Sequence, residues 1–130
     1  MGRTARAGKD GRAVLVLSEK EAFFPKVNRT LPINSYPVDF TPKLTAHEAK
    51  VARALVNVDE EAKAKAYQAF LGYNKTFLKK LQMSTTELVK VANGYAQAMG
   101  CPEPPLIEKS TIGKMGLKGV PGLRIGSRRQ

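Results

Sequence analysis

Apolar residues recur three or four positions apart through the middle of the chain, which is the spacing of an amphipathic helix. Two of these segments open with a capping-box pattern, a Ser or Thr followed three residues later by Glu, at Thr45–Glu48 and at Ser84–Glu87. A longer segment, residues 59–81, lies between them, with Gly72 as a candidate interruption. Gly100 stands where a glycine commonly ends a helix. The pattern predicts three amphipathic helices in a small bundle.

The apolar positions also indicate which side of each helix is buried. In the long segment, one stripe and its neighbours contain Ala62, Ala66, Tyr67, Phe70, Leu71, Tyr73, Phe77 and Leu78. In the last helix, one face contains Leu88, Ala92, Tyr95, Ala96 and Met99. We expect these faces to form the core of the bundle.

The first third of the chain has a different pattern. The continuous apolar run Ala13–Leu17 predicts a short strand of the kind buried in a parallel sheet, but no second strand of that kind follows. Ser18 and Glu21 form a capping box that predicts a short helix, strained or ended by Pro25. Residues 31–43 contain three prolines and read as an extended connector.

The sequence therefore predicts a mainly α-helical chain in four parts. Residues 1–30 are the end of an α/β domain whose other strands are not in this sequence. Residues 31–43 are the connector, and residues 44–108 form the helical bundle. Residues 109–130 are a basic, glycine-rich tail, which we interpret as a short helix followed by a mobile segment.

The charge favours a polyanionic partner. The chain has 22 Lys and Arg against 11 Asp and Glu, a net charge of +11. Nucleic acid is the leading candidate, an anionic membrane or an acidic protein is an alternative, and a merely solubilising charge is the third. No apolar run approaches the ~18 residues that span a membrane. Cys101 and His47 lie too far apart in sequence to suggest a metal site, so none is expected.

Two groups of basic residues are candidates for RNA binding. In the long helical segment, Lys75, Lys79 and Lys80 lie close to Tyr73 and Phe77, whose rings either stack on a base or, as is more common, belong to the core. The tail has no acidic residue after Glu108, and its candidates are Lys114, Lys118, Arg124, Arg128 and Arg129.

The first residues, Gly2-Arg3-Thr4-Ala5-Arg6-Ala7-Gly8, form a basic loop flanked by glycines. Arg3 and Arg6 are three positions apart, which allows two guanidinium groups to reach one phosphate. The alternative is a solvated basic loop. With the following Lys-Asp-Gly-Arg-Ala, this run resembles the end of motif six of the DEAD-box RNA helicases, His-Arg-x-Gly-Arg-x-x-Arg.

In this resemblance, Arg3 and Arg6 match the second and third family arginines, which implies contact with the γ-phosphate of ATP from the second RecA-like domain. Met1 stands at a variable position, and the preceding His-Arg pair is absent. The remainder resembles the C-terminal extension of the fungal mitochondrial splicing chaperones of this family, including the ending Ser110–Ile125.

The resemblance implies the C-terminal part of an ATP-dependent RNA helicase and RNA chaperone, acting on group I and group II introns. It implies an extension that braces the helicase core and contacts RNA, in a mitochondrial protein. We expect this RNA binding to be sequence-tolerant and the protein to be a monomer. A nucleolar location is the alternative, because nucleolar relatives have a similar extension.

ATP and Mg are the implied cofactors of the whole enzyme. This chain has neither a Gly-x-x-x-x-Gly-Lys-Ser/Thr loop nor an Asp-Glu-Ala-Asp motif, so by itself we expect it to need no cofactor and to be inactive. The alternative function is a non-catalytic helical module that binds protein and whose charge only confers solubility.

Overall fold

The computed structural model describes residues 10–127 of the chain. These residues fall into two units, one ending at Ile33 and the other beginning at Asn34. The structure is mainly helical, as the sequence predicts.

In the first unit, the Ser18 capping box forms as predicted. The Ser18 backbone N–H donates to Glu21 Oε2 at 2.8 Å, and a 3₁₀ turn at Glu19–Glu21 leads into helix α1 at Phe23–Val27. Pro25 is the third residue of α1 and does not end it, because a first-turn residue has no intrahelical hydrogen bond to lose.

The strand predicted at Ala13–Leu17 is wrong for the described part of the chain. These residues have no regular secondary structure, and Val14, Leu15 and Val16 are 67%, 50% and 80% exposed. A strand needs a neighbour to accept and donate its backbone hydrogen bonds, and residues 10–127 supply none. The run is apolar without being buried.

The second unit begins with helix α2, Thr41–Val56, which starts four residues before the predicted capping box. The Asp39 carboxylate accepts hydrogen bonds from the Thr41 backbone at 2.9 Å and the Thr41 hydroxyl at 2.7 Å. Thr45 lies inside the helix, where its hydroxyl donates to the Thr41 carbonyl at 3.1 Å. The predicted Thr45–Glu48 cap is therefore wrong.

Helix α2 buries no side chain. All of its residues are exposed except Leu55, which is half-buried. Leu44 and Val51, two turns apart on one face, are 64% and 54% exposed. This apolar face of α2 therefore faces no core within this unit.

Helix α3, Glu60–Lys75, begins at Asp59, whose carboxylate accepts from the backbone of Glu61 at 2.6 Å and of Ala62 at 3.0 Å. The long predicted segment breaks at Thr76 rather than at Gly72, which lies within α3. A short helix α4, Leu78–Leu81, follows and ends at Gln82, whose φ is 53°.

Helix α5, Thr85–Ala98, begins and ends where the sequence predicts. The Ser84 hydroxyl accepts from the Glu87 backbone at 3.1 Å, and Glu87 Oε2 accepts from the Ser84 backbone at 2.8 Å. At the other end, Gly100 has a φ of 86°, and its N–H donates to the Gln97 carbonyl at 2.9 Å. This is a Schellman ending, and both predicted signals are confirmed.

The core lies between α3, α5 and the segment that follows them. It contains Tyr67, Leu71, Leu88, Val89, Ala92, Ala96, Met99, Cys101, Ile107, Ile112 and Leu117. The last two residues come from the region predicted as a tail.

The short helix predicted at the start of the tail is present, but the interpretation of the following segment as mobile is wrong as far as Ser127. Helix α6, Lys109–Lys114, carries Ile112, and both Ile112 and Leu117 are fully buried. Ile107 pairs with Ile125 in a parallel bridge. Positive-φ glycines in this segment make turns that return the chain to the core, so its glycine content reflects tight geometry.

Candidate nucleic-acid interface

The distribution of charge divides the lysines of the second unit into two classes. No acidic residue lies between Glu61 and Glu87 or after Glu108. Lys63 and Lys65, near the start of α3, form ion pairs with Glu60 at 3.2 Å and Glu61 at 2.8 Å. The candidate lysines lie in the acid-free stretches, and within residues 10–127 no ion pair is seen for Lys75, Lys79, Lys114 or Lys118.

The fold brings together two candidate groups that are far apart in sequence. Lys75 is the last residue of α3, and its Nζ lies 3.7 Å from the position that a Cβ on Gly116 would occupy. Gly116 is midway between Lys114 and Lys118, which are both exposed. Lys75 therefore lies beside the turn that carries the two tail lysines. We call these three lysines, together with Lys79 four positions after Lys75 in the sequence, the lysine surface.

Lys79 and Lys80 are exposed in α4, directly after the break that follows α3. Lys80 Nζ is 6.0 Å from the centroid of the Phe77 ring, within the range of a cation–π contact. The break at Thr76 thus places Lys80 next to an aromatic side chain.

The prediction that the Tyr73 and Phe77 rings belong to the core is wrong for Tyr73. Tyr73 is 64% exposed, and Phe77 is half-buried. The physical reason is the helical rotation: Leu71 faces α5, and two residues further the helix has turned by about 200°, so Tyr73 faces away. The two ring centroids are 4.9 Å apart, with an angle of 49° between the planes.

Arg124 has protein partners of its own. Its Nη1 donates to the Pro104 carbonyl at 3.0 Å, and its Nη2 lies 3.1 Å from Glu103 Oε2. These contacts hold the segment next to the Ile107–Ile125 bridge, so the side chain has a structural role. The other candidate arginines, Arg3, Arg6, Arg128 and Arg129, lie outside the described residues.

A chain of hydrogen bonds that the sequence did not suggest positions the turn after Leu117. The Tyr67 hydroxyl donates to Asn93 Oδ1 at 2.6 Å, and Asn93 Nδ2 donates to the Gly122 carbonyl at 3.0 Å. Burial raises the pKa of Tyr67 to about 12, so the hydroxyl stays protonated and remains a donor. A mid-helix Asn gives no sequence signal for this role.

The buried Lys63 is a second feature without a sequence signal. It is 4% exposed, and its Nζ lies 3.9 Å from where a Cβ on Gly100 would be. This places a cation beside the end of α5, where the helix dipole favours positive charge. Burial raises the pKa of the nearby Cys101 thiol, the charge of Glu60 raises it further, and the charge of Lys63 opposes the shift.

Helices of membrane-spanning length and hydropathy are absent from residues 10–127.

Comparison with known proteins finds similarity over almost the whole chain. It is 81% identical over 129 residues to a mitochondrial ATP-dependent RNA helicase of Phaeosphaeria nodorum, covering 99% of this chain and 24% of that protein. It is 46% identical over 127 residues to a mitochondrial ATP-dependent RNA helicase of Aspergillus oryzae, covering 94% of this chain and 20% of that protein.

A plant relative, a DEAD-box ATP-dependent RNA helicase of Arabidopsis thaliana, is 43% identical over 125 residues, which is 95% of this chain and 14% of that protein. The chain thus spans a quarter or less of the length of these three relatives. No protein-family model matches it. No solved structure matches it.

Proposed function

We propose that this chain, which is homologous over nearly its whole length to DEAD-box ATP-dependent RNA helicases, supplies an RNA-contacting surface of such an enzyme. The observation that carries the proposal is the lysine surface. Its four ammonium groups come from α3, α4 and the α6 region, and the stretches that contain them have no carboxylate.

Such a surface recognises the phosphate backbone. Ammonium groups on flexible stems act as point charges, so they bind phosphate without reading the base. Each phosphate neutralised releases condensed counterions, which makes the affinity fall as salt rises. The surface is therefore suited to sequence-tolerant contact with RNA.

For the whole protein we propose ATP-dependent remodelling of RNA, with ATP and Mg as cofactors. Arg3 and Arg6 would contact the γ-phosphate of ATP, on the support of the motif-six resemblance. Group I and group II introns are the proposed substrates by the same resemblance. The names of the two fungal relatives support a mitochondrial location.

The exposed apolar face of α2 favours a second role for the same chain, which is bracing the rest of the helicase. Helical spacing places Leu44 and Val51 on one face of α2. The side chains of this helix that are exposed include Leu44 at 64%, Val51 at 54% and Val56 at 79%. Apolar groups arranged in this way gain stability when another surface covers them. The helicase core is the partner proposed for this face.

The RNA proposal is tested by fluorescence anisotropy with a generic single-stranded RNA across a salt series. The test variant removes the lysine surface through Lys75→Gln, Lys79→Gln, Lys114→Gln and Lys118→Gln. The matched control removes the same charge from exposed lysines elsewhere, through Lys20→Gln, Lys26→Gln, Lys43→Gln and Lys50→Gln.

We expect the test variant to bind more weakly and to lose about 0.7 in the slope of log K against log salt for each phosphate contact removed. The control should keep a slope close to that of the unchanged chain. Equal loss in both variants would show a diffuse charge effect without a defined surface. Absence of binding by the unchanged chain at low salt would leave the protein-interaction role as the better account.

A further inference from the structure

We infer that Tyr73 and Phe77 form a stacking platform for an unpaired base of single-stranded RNA. The inference rests on the proposed RNA-contacting function and adds a second kind of contact to it. The lysines would hold the backbone, and the rings would hold a base.

The first argument is the unexplained exposure of Tyr73. A tyrosine side chain is mostly apolar, and burying it would be favourable, yet 64% of its surface is open to solvent. It is absent from the core cluster, whose buried tyrosine is Tyr67. The Tyr73 ring therefore contributes little to the packing of this unit and is available to a ligand.

The second argument is the geometry of the two rings. Their centroids are 4.9 Å apart, and the 49° tilt means that neither ring covers the face of the other as in a parallel sandwich. An open aromatic face is the surface on which a nucleic-acid base stacks. Stacking depends little on base identity because every base has a π face, which agrees with sequence-tolerant binding.

The third argument is the surrounding charge, which decides the class of ligand. Lys80 Nζ is 6.0 Å from the Phe77 centroid, and Lys79 is its neighbour in α4. No acidic residue occurs between Glu61 and Glu87. A base carries phosphates on either side, so lysines next to aromatic rings match a polynucleotide strand.

Another ring pair with nearly the same geometry serves as a control. Tyr36 and Phe40 have centroids 5.0 Å apart with a 47° tilt, and Tyr36 is 59% exposed. The geometry is almost the same, but Asp39 lies directly beside Phe40 in the sequence. If exposed rings alone were sufficient, both pairs would bind RNA equally.

The experiment uses the 130-residue chain and a short single-stranded RNA that carries 2-aminopurine, whose fluorescence is quenched by stacking. The variants are Tyr73→Ala, Tyr73→Phe, Phe77→Ala and the control Tyr36→Ala. Thermal unfolding of each variant shows whether the fold is intact, which matters most for the half-buried Phe77.

We expect Tyr73→Ala to weaken binding about fivefold or more, the lower range of effects for one stacked base, and to reduce the quenching. Tyr73→Phe should retain both, because stacking needs the ring and not the hydroxyl. Tyr36→Ala should leave both unchanged. The salt slope should stay the same in Tyr73→Ala, since no phosphate contact is removed.

The outcomes separate this inference from the function on which it rests. If the unchanged chain does not bind the RNA, the proposed function fails and the platform fails with it. If the chain binds, but Tyr73→Ala binds as tightly and quenches as strongly, only the platform is overturned. The platform is also overturned if Tyr36→Ala and Tyr73→Ala weaken binding equally.

Discussion

Gly94 lies within α5 and Gly122 packs against the same helix, but an added methyl group would have different neighbours at the two positions. Gly94 is within α5, and no heavy atom lies within 4 Å of its would-be Cβ. Gly122 has a φ of 95°, and a Cβ there would lie 3.0 Å from Val89 Cγ1 and 3.3 Å from Asn93 Nδ2. Gly94 therefore lowers the stability of the helix, whereas the turn requires a glycine at position 122.

We predict that Gly94→Ala raises the free energy of unfolding by roughly 0.5–1 kcal/mol, because alanine loses less backbone entropy in a helix. Gly122→Ala should lower it by about 1–2 kcal/mol, the penalty for an L residue in left-handed backbone, and by more if Val89 is displaced. Urea denaturation of both variants checks the signs. A gain in stability from Gly122→Ala would contradict the described turn.

At the scale of single helices, local signals were readable from the sequence and longer-range ones were not. Both ends of α5 were predictable because Ser84, Glu87 and Gly100 satisfy the helix's own terminal groups. The start of α2 was missed because the residue that accepts hydrogen bonds from its first residue is Asp39, which lies within the proline-rich stretch that reads as connector. Thr45 has the right sequence pattern, but the helix has already begun.

The packing of residues 109–127 could not be predicted for a different reason. Ile112 and Leu117 stand among glycines and lysines, and their burial depends on contacts with α3 and α5 that lie far away in sequence. The arrangement of the lysine surface also depends on contacts between residues that are far apart in sequence. The lysines were identifiable from composition, but the approach of Lys75 to the Gly116 turn was not.

We predict that ending the chain at Glu108 abolishes cooperative unfolding. The truncation removes Ile112 and Leu117 from the core, and deleting one such side chain typically costs about 2–5 kcal/mol. A chain ending at Ser127 should keep a cooperative transition, since it retains Ile112 and Leu117. Thermal melts followed by circular dichroism compare the two.

If the chain ending at Glu108 melts like the unchanged protein, α3 and α5 form the core without the later segment. The expected outcome also governs how RNA binding is tested. Deleting residues after Glu108 would remove the fold together with the charge, so substitution of lysines is the appropriate design.

Across the whole molecule, the helices differ in how much tertiary structure supports them. Helices α3 and α5 together bury eight side chains, whereas α2 buries none. With 16 residues, α2 is only slightly longer than the ~12–15 residues below which an isolated helix is marginal in water, because nucleation is costly. Its stability in this chain therefore comes mainly from its own hydrogen bonds and from those that Thr41 donates to Asp39.

We predict that the amides of α2, Thr41–Val56, exchange with solvent much faster than those of α5, Thr85–Ala98. Local opening of α2 breaks little tertiary contact, while opening of α5 disrupts the core. Hydrogen exchange followed by mass spectrometry resolves the two segments. Comparable protection in both would show that α2 is covered in solution, for example by a second copy of the chain.

The single thiol of the chain offers a further consequence of the Schellman ending of α5. Cys101 is buried directly after Gly100, and burial raises the pKa of its thiol. Alkylating reagents react with the exposed thiolate, so modification has to wait until the end of α5 detaches from the core. The rate at which Cys101 is alkylated, followed by mass spectrometry, therefore reports how often that end of α5 opens. No cysteine has to be introduced for this measurement.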